Sequence, residues 1–126
     1  MASIPVAQPA ALGQFDRGPA AVRMANAATA FTPAALTPAL SAKVKLCLRD
    51  LIGCACESQA LPWAVQARAS ATPAGRGSSI IGHPGAVAPG DAAFVNAVLG
   101  HGLVREDMHA GSISHLGIVV LPTVLA

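Results

Sequence analysis

FVNAVLGHGLVREDMHAGSISHLGIVVLPTVLA, residues 94–126, decides how the chain is read. It holds three of the four histidines, His101, His109 and His115, and the adjacent acids Glu106 and Asp107. Pro89-Gly90-Asp91 reads as a helix start with Asp91 as the cap. A helix from Asp91 through His109 then buries Phe94, Val95, Val98, Leu99 and Leu103 as its apolar stripe. His101 projects from that face, and His101, Val104 and Met108 align at helical spacing in one narrow row. Glu106 and Asp107, beside Arg105, read as a solvated face. Gly100 and Gly102 flank the histidine at a cost of about 1 kcal/mol each against Ala. Such a cost makes sense where another backbone or a ligand approaches closely. Gly111 to Ser114 breaks the pattern. The apolar run Leu116–Ala126, with Pro122 inside it, ends without a cap, so the chain is expected to stop inside an element.

Upstream of this stretch the pattern is helical. Residues 1–23 are rich in Ala, Pro and Gly without periodicity and read as a disordered tail. Met24–Phe31 is a short Ala-rich helix. Thr32-Pro33 and Thr37-Pro38 are two start signals, with Thr as cap and Pro in the first turn. From Pro38 a longer helix buries Val44, Cys47, Leu48 and Leu51, with Cys54 and Ala55 extending the stripe. Gly53 falls where it would end or meet a close neighbour. Pro62 opens another helix to about Ala69, with Trp63 as a core anchor. Residues 70–79 read as a loop. Ser79–Gly82 reads as a short extended segment before the His83-Pro84-Gly85 turn, where His83 faces solvent. The reading is an all-α, partial domain of about five helices over residues 24–126.

Composition narrows the function. Hydrophobic residues make up 53% and charged residues 11% of the 126, against about 25% charged in an ordinary soluble domain. Too little charge remains to cover the surface, which points to burial against a partner or to a missing remainder of the domain. A net charge of +2, with one Trp, three Phe and no Tyr, offers neither the basic cluster nor the stacking platform that nucleic acid requires. No stretch reaches the roughly 20 apolar residues of a membrane span. No signal peptide is evident, and a cytoplasmic location is expected. Cys47, Cys54 and Cys56 fit buried free thiols in a reducing compartment.

Three segments, LCLRDLIGCA (46–55), PWAVQARA (62–69) and SSIIGHPGAVAPGDAAFVNAVLGHGL (78–103), followed by an acid–His–His tail, form a linear series. Over residues 24–126 the chain resembles the MmgE/PrpD family, which includes 2-methylcitrate dehydratase and cis-aconitate decarboxylase. The resemblance implies an all-helical amino-terminal domain. It also implies lyase chemistry on small polycarboxylates without metal, cluster or other cofactor. A proton beside a carboxylate is removed by side chains, and a leaving group or CO2 departs. Asn96, His101, Asp107, His109 and His115 fall on the family's motif, and Glu106 keeps an acid at its middle Asp. The motif implies His101, Asp107 and His115 as catalytic residues. Asn96, Val104, Met108 and His109 stand at the substrate-facing positions.

The departures bear on activity. The family's first Asp falls on Val104, its Thr on Met108, and the Pro after the last His on Leu116. Val cannot take a proton, and a polycarboxylate loses hydrogen-bond partners there. Glu106 or Asp107 is the alternative acid, though each lies well off the row in an ideal helix. Family members are several times longer, and their second domain closes the site. The expectation is therefore a truncated lyase, inactive as this chain. The alternative is a non-enzymatic helical module that self-associates or binds a partner through apolar helices. A zinc site from His101, His109, His115 and an acid has spacings that match no established pattern, so no metal is expected.

Overall fold

The computed structural model describes residues 19–126. The expected tail falls mostly outside the described residues. Its last four, Ala20–Arg23, are the first turn of a helix, α1 (Ala20–Ala30), which therefore starts earlier than Met24. The chain divides into two compact units after Thr37. In the first, Thr32-Pro33 opens only a three-residue 3-10 turn, Pro33–Ala35, without a side-chain cap. Every described residue of this unit is exposed.

The second unit holds four helices: α2 (Pro38–Glu57), α3 (Pro62–Ser70), α4 (Pro89–His101) and α5 (Gly117–Leu125). Pro38, Pro62 and Pro89 each stand at the first helical residue, where the missing N–H costs nothing. The expected cap at Asp91 is not made. Ala88 is the N-cap, and the Asp91 carboxylate accepts the Thr72 backbone N–H at 2.7 Å. Helix α2 runs through Gly53, which meets nothing within 4 Å. Neither a helix end nor a close neighbour explains that glycine.

The fold is mostly helical but not all-α. Residues read as a loop form strand β1 (Pro73–Ser79), antiparallel to the two-residue strand β2 (Ala86–Val87). The sequence PAGRGSS has no strand propensity; its neighbours impose the extended path. Asn96 of α4 receives the Ile81 N–H at 2.8 Å and donates to the Ser79 carbonyl at 3.0 Å. Gln59 donates to the Ile81 carbonyl at 3.0 Å. Two polar side chains thus fasten the sheet's turn to the helices. Gly82 (φ +74°) and Gly85 (φ +90°) supply the left-handed backbone of that turn. His83 is exposed there, as expected.

Helix α4 is central, packing against α2, α3, α5 and β1. The core cluster is small and rich in alanine: Ala55, Ala64, Ala67, Ile80, Val95 and Leu99. Alanines let helices approach, and so does Gly100, where a Cβ would collide with Leu51 of α2. Two expected anchors are excluded from this shallow core. Trp63 is 49% exposed and Phe94 57%. Val44 is exposed as well, so the buried part of α2 narrows to Leu51, Cys54 and Ala55.

Cysteine burial also divides. All three are free, with Cys54 buried, Cys47 half-buried and Cys56 exposed. Burial raises the Cys54 thiol pKa, and the nearby carboxylates of Asp50, Glu106 and Glu57 raise it further. Thiolate is the reacting species. Iodoacetamide at neutral pH should therefore alkylate Cys56 first and Cys54 last, at least about tenfold more slowly. Mass spectrometry of the digested protein checks the order; Cys54 labelled alongside Cys56 would contradict this packing.

Candidate functional site

The helix carrying Asn96 and His101 ends partway through the motif. α4 stops at His101, and the Gly102 N–H bonds back to Leu99. Val104 then donates to the His101 carbonyl at 3.0 Å and takes a left-handed backbone, φ +53°. The reason lies in packing. A Cβ on Gly102 would lie 2.6 Å from Ser58 Oγ and 3.0 Å from Leu61. The two glycines flanking His101 thus mark close approach to α2, to the α2–α3 junction and to Ile118 of α5. The expected helix over residues 91–109 forms only as far as His101. The row of His101, Val104 and Met108 at helical spacing is not there, and Val104 and Met108 are exposed.

The turn away from the helix brings a different set together. Glu106, read as a solvated residue, is 6% exposed and sits between two imidazoles. Its Oε1 accepts a hydrogen bond from His101 Nδ1. His115 Nδ1 lies 2.8 Å from the same oxygen, yet it makes no aligned hydrogen bond. The two rings meet edge to face, 5.1 Å between centroids. Side-chain exposure falls from 43% at His101 to 25% at His115 and 1% at Glu106, so the carboxylate is the floor of the cluster. Glu106 Oε2 and His115 Nδ1 are both buried without a hydrogen-bond partner.

Charge follows from this geometry. Burial pushes the Glu106 pKa up, but the hydrogen bond from His101, a backbone hydrogen bond and the charges of His101 and His115 pull it down. The pull wins, and the carboxyl sits below its ordinary value. Glu106 is ionised at neutral pH and holds an imidazole N–H against its oxygen, an arrangement that can orient a histidine for proton transfer.

The other candidates lie elsewhere. Asn96 is buried, and its amide is taken up by Ser79 and Ile81. His109 is exposed in a tight turn, its Nδ1 2.9 Å from Ser112 Oγ, and its backbone bridges to Ser114. Asp107 lines a hollow of about 240 Å³ between α2 and α5, with Val44, Cys47, Leu116 and Val120. Its carboxylate lies against Gly117, the first residue of α5, where any Cβ would collide with it. Arg105 pairs with Glu57 at 2.7 Å on the surface, which holds the turn near α2 for at most about 1 kcal/mol. Glu106 is thus the residue the sequence reading undervalued. Its signal was present as an acid five residues after one histidine and nine before another.

Val104 stores strain. A β-branched residue at positive φ is a true outlier, whereas Asn and Asp tolerate that region. Val104→Asn should raise stability by about 1 kcal/mol, seen as a higher urea midpoint at unchanged slope. A lower midpoint would show that the valine side chain packs usefully despite its exposure.

The mostly helical unit thus carries a glutamate-centred histidine pair just beyond the end of α4. The chain belongs to the MmgE/PrpD family: the model of the MmgE/PrpD N-terminal domain matches residues 22–126. No curated protein and no solved structure matches the chain.

Proposed function

We propose that this chain is the amino-terminal helical part of a lyase acting on small polycarboxylates, with His101 and His115 as its proton-handling groups. The observation that carries this reading is the ionised Glu106 beneath both imidazoles, in the motif through which the chain resembles the family's enzymes. Such a pair can accept a proton from carbon beside a carboxylate and return one to a departing oxygen or to the carbon that loses CO2. Asp107 belongs to the same motif, but its carboxylate rests at the start of α5, where it favours that helix terminus.

The same geometry argues that the 126-residue chain does not turn over substrate unaided. His101 is open to solvent, and Val104 and Met108 offer a polycarboxylate no hydrogen bond. Catalysis needs water excluded and groups from several elements converging on the substrate. Tricarballylate, an inert polycarboxylate, should bind weakly, at about millimolar Kd. It should shift the imidazole NMR signals of His101 and His115 while leaving those of His83 and His109 in place. 2-Methylcitrate and cis-aconitate should pass through unchanged. No shift at His101 and His115 would sink the polycarboxylate reading, and product formation would sink the inactivity.

One observation favours a second, non-enzymatic reading. Val119, Val120, Val124 and Leu125 of α5 are all exposed, more apolar surface than an isolated short helix ordinarily shows water. Self-association through α5 would cover it. A monomer by sedimentation at about 100 μM, well above an ordinary micromolar dimer constant, would remove this alternative.

A further inference from the structure

We propose that His101, Glu106 and His115 bind one divalent transition-metal ion of the zinc type. The three residues come from the last turn of α4, the segment after it and the approach to α5. They place one ligand atom each within 4.8 Å of one another. The sequence offers His101, His109, His115 and an acid at spacings that match no established metal pattern, and the fold keeps only part of that set together. His109 is turned to Ser112, and the third donor is Glu106.

Two features point to a cation rather than a plain hydrogen-bonded triad. One carboxylate oxygen faces two imidazole nitrogens, and only His101 makes an aligned hydrogen bond to it. That leaves His115 Nδ1 and Glu106 Oε2 buried and unpartnered, each of which costs about 1–3 kcal/mol of desolvation. A single cation takes the lone pairs of both nitrogens and the anionic oxygen at once. It also neutralises a carboxylate whose side chain is 1% exposed. Two imidazoles and one carboxylate suit zinc, cobalt, nickel or copper, whereas calcium and magnesium favour all-oxygen shells. Bonds of about 2.0–2.2 Å are in reach of donor atoms that all lie within 4.8 Å of one another. The solvent-exposed His101 edge leaves a fourth position to water, as in zinc sites with three protein ligands. Metal at Nδ1 displaces the His101–Glu106 hydrogen bond, so occupancy and proton transfer by that pair exclude one another. The site does not depend on the lyase reading.

The test uses the untagged 126-residue chain, stripped with EDTA and dialysed. Zn2+ titrated by calorimetry should bind at one equivalent with micromolar or tighter Kd. Glu106→Gln and His115→Ala should each weaken it at least about thirtyfold, while His83→Ala and His109→Ala leave it unchanged. Should either ligand variant fail to fold, Co2+ added to the unmodified protein decides. It should broaden the His101 and His115 imidazole signals selectively and show the intense visible absorption of low-coordinate cobalt. Broadening centred on His83 or His109, loss of binding on replacing the three cysteines by Ser, or no saturable binding would each overturn the proposal.

Discussion

Leu99→Ala is expected to unfold most of the helical unit under conditions where the parent chain is folded. Leu99 is fully buried on α4 and, with Leu51, is the largest side chain enclosed in the unit. Around it the core is Ala55, Ala64, Ala67, Val95 and Ile80. Apart from Ile80, which follows β1, these side chains are short and sit on helices already in contact, so they cannot move inward to fill the space. The cost is then the transfer of the lost methyl groups plus a cavity that stays open, about 3–5 kcal/mol. Domains of this size hold about 5–15 kcal/mol in total, and an alanine-rich core places this one toward the lower end. The control is Trp63→Ala. Trp63 is larger but half exposed, and its loss should cost less than about 1.5 kcal/mol. Urea denaturation followed by circular dichroism gives both values. Trp63→Ala proving the more damaging would mean the core is centred elsewhere.

That contrast also shows where sequence reading stopped. Helices α2 and α3 and the start of α4 were legible because proline at the first turn and three-four apolar spacing act locally. Which side of a helix is covered, and how deeply, is not local. Trp63 and Phe94 lie among apolar neighbours and read as anchors, yet alanine-to-alanine contacts bring the helices too close to admit them. The end of α4 at His101 escapes local pattern for a related reason. Leu103 and Val104 prolong the apolar pattern, so periodicity carries the helix to His109. Gly100 and Gly102 stand out in the sequence, but their neighbours, Leu51, Ser58, Leu61 and Ile118, come from other elements of the fold. Strand β1 was illegible outright, since hydrogen bonds from Asn96 and Gln59 hold its turn and no propensity of its own does. Of the three histidines in this stretch, His101 and His115 meet in the fold and His109 does not. Glu106 joins them because a carboxylate's burial depends on what folds over it, which no local pattern shows.

Glu106→Gln, in EDTA, is expected to lower stability by about 2 kcal/mol at pH 7 through loss of charge-assisted hydrogen bonding to a buried group. The amide keeps the volume of the carboxyl, so no cavity contributes, and it can still accept one imidazole N–H. What disappears is the negative charge between two histidines. The pH dependence separates that charge from simple packing. Glu106 titrates below its ordinary value in the folded protein, chiefly because the His101 hydrogen bond and the histidine charges outweigh the cost of burial. In the unfolded chain it titrates near 4.5. A carboxyl with a lowered folded pKa stabilises fully above the unfolded value, and that contribution is lost as pH falls through the folded one. The gap between parent and variant should therefore be widest above about pH 5.5 and shrink steadily as the solution is acidified below about pH 4.5. Parallel urea titrations from pH 7 down to pH 3.5 measure it. A gap that stays constant over this range would mean Glu106 acts by shape alone. A gap that widens on acidification would mean burial dominates and the carboxyl is held protonated, which would remove the charged floor from beneath His101 and His115.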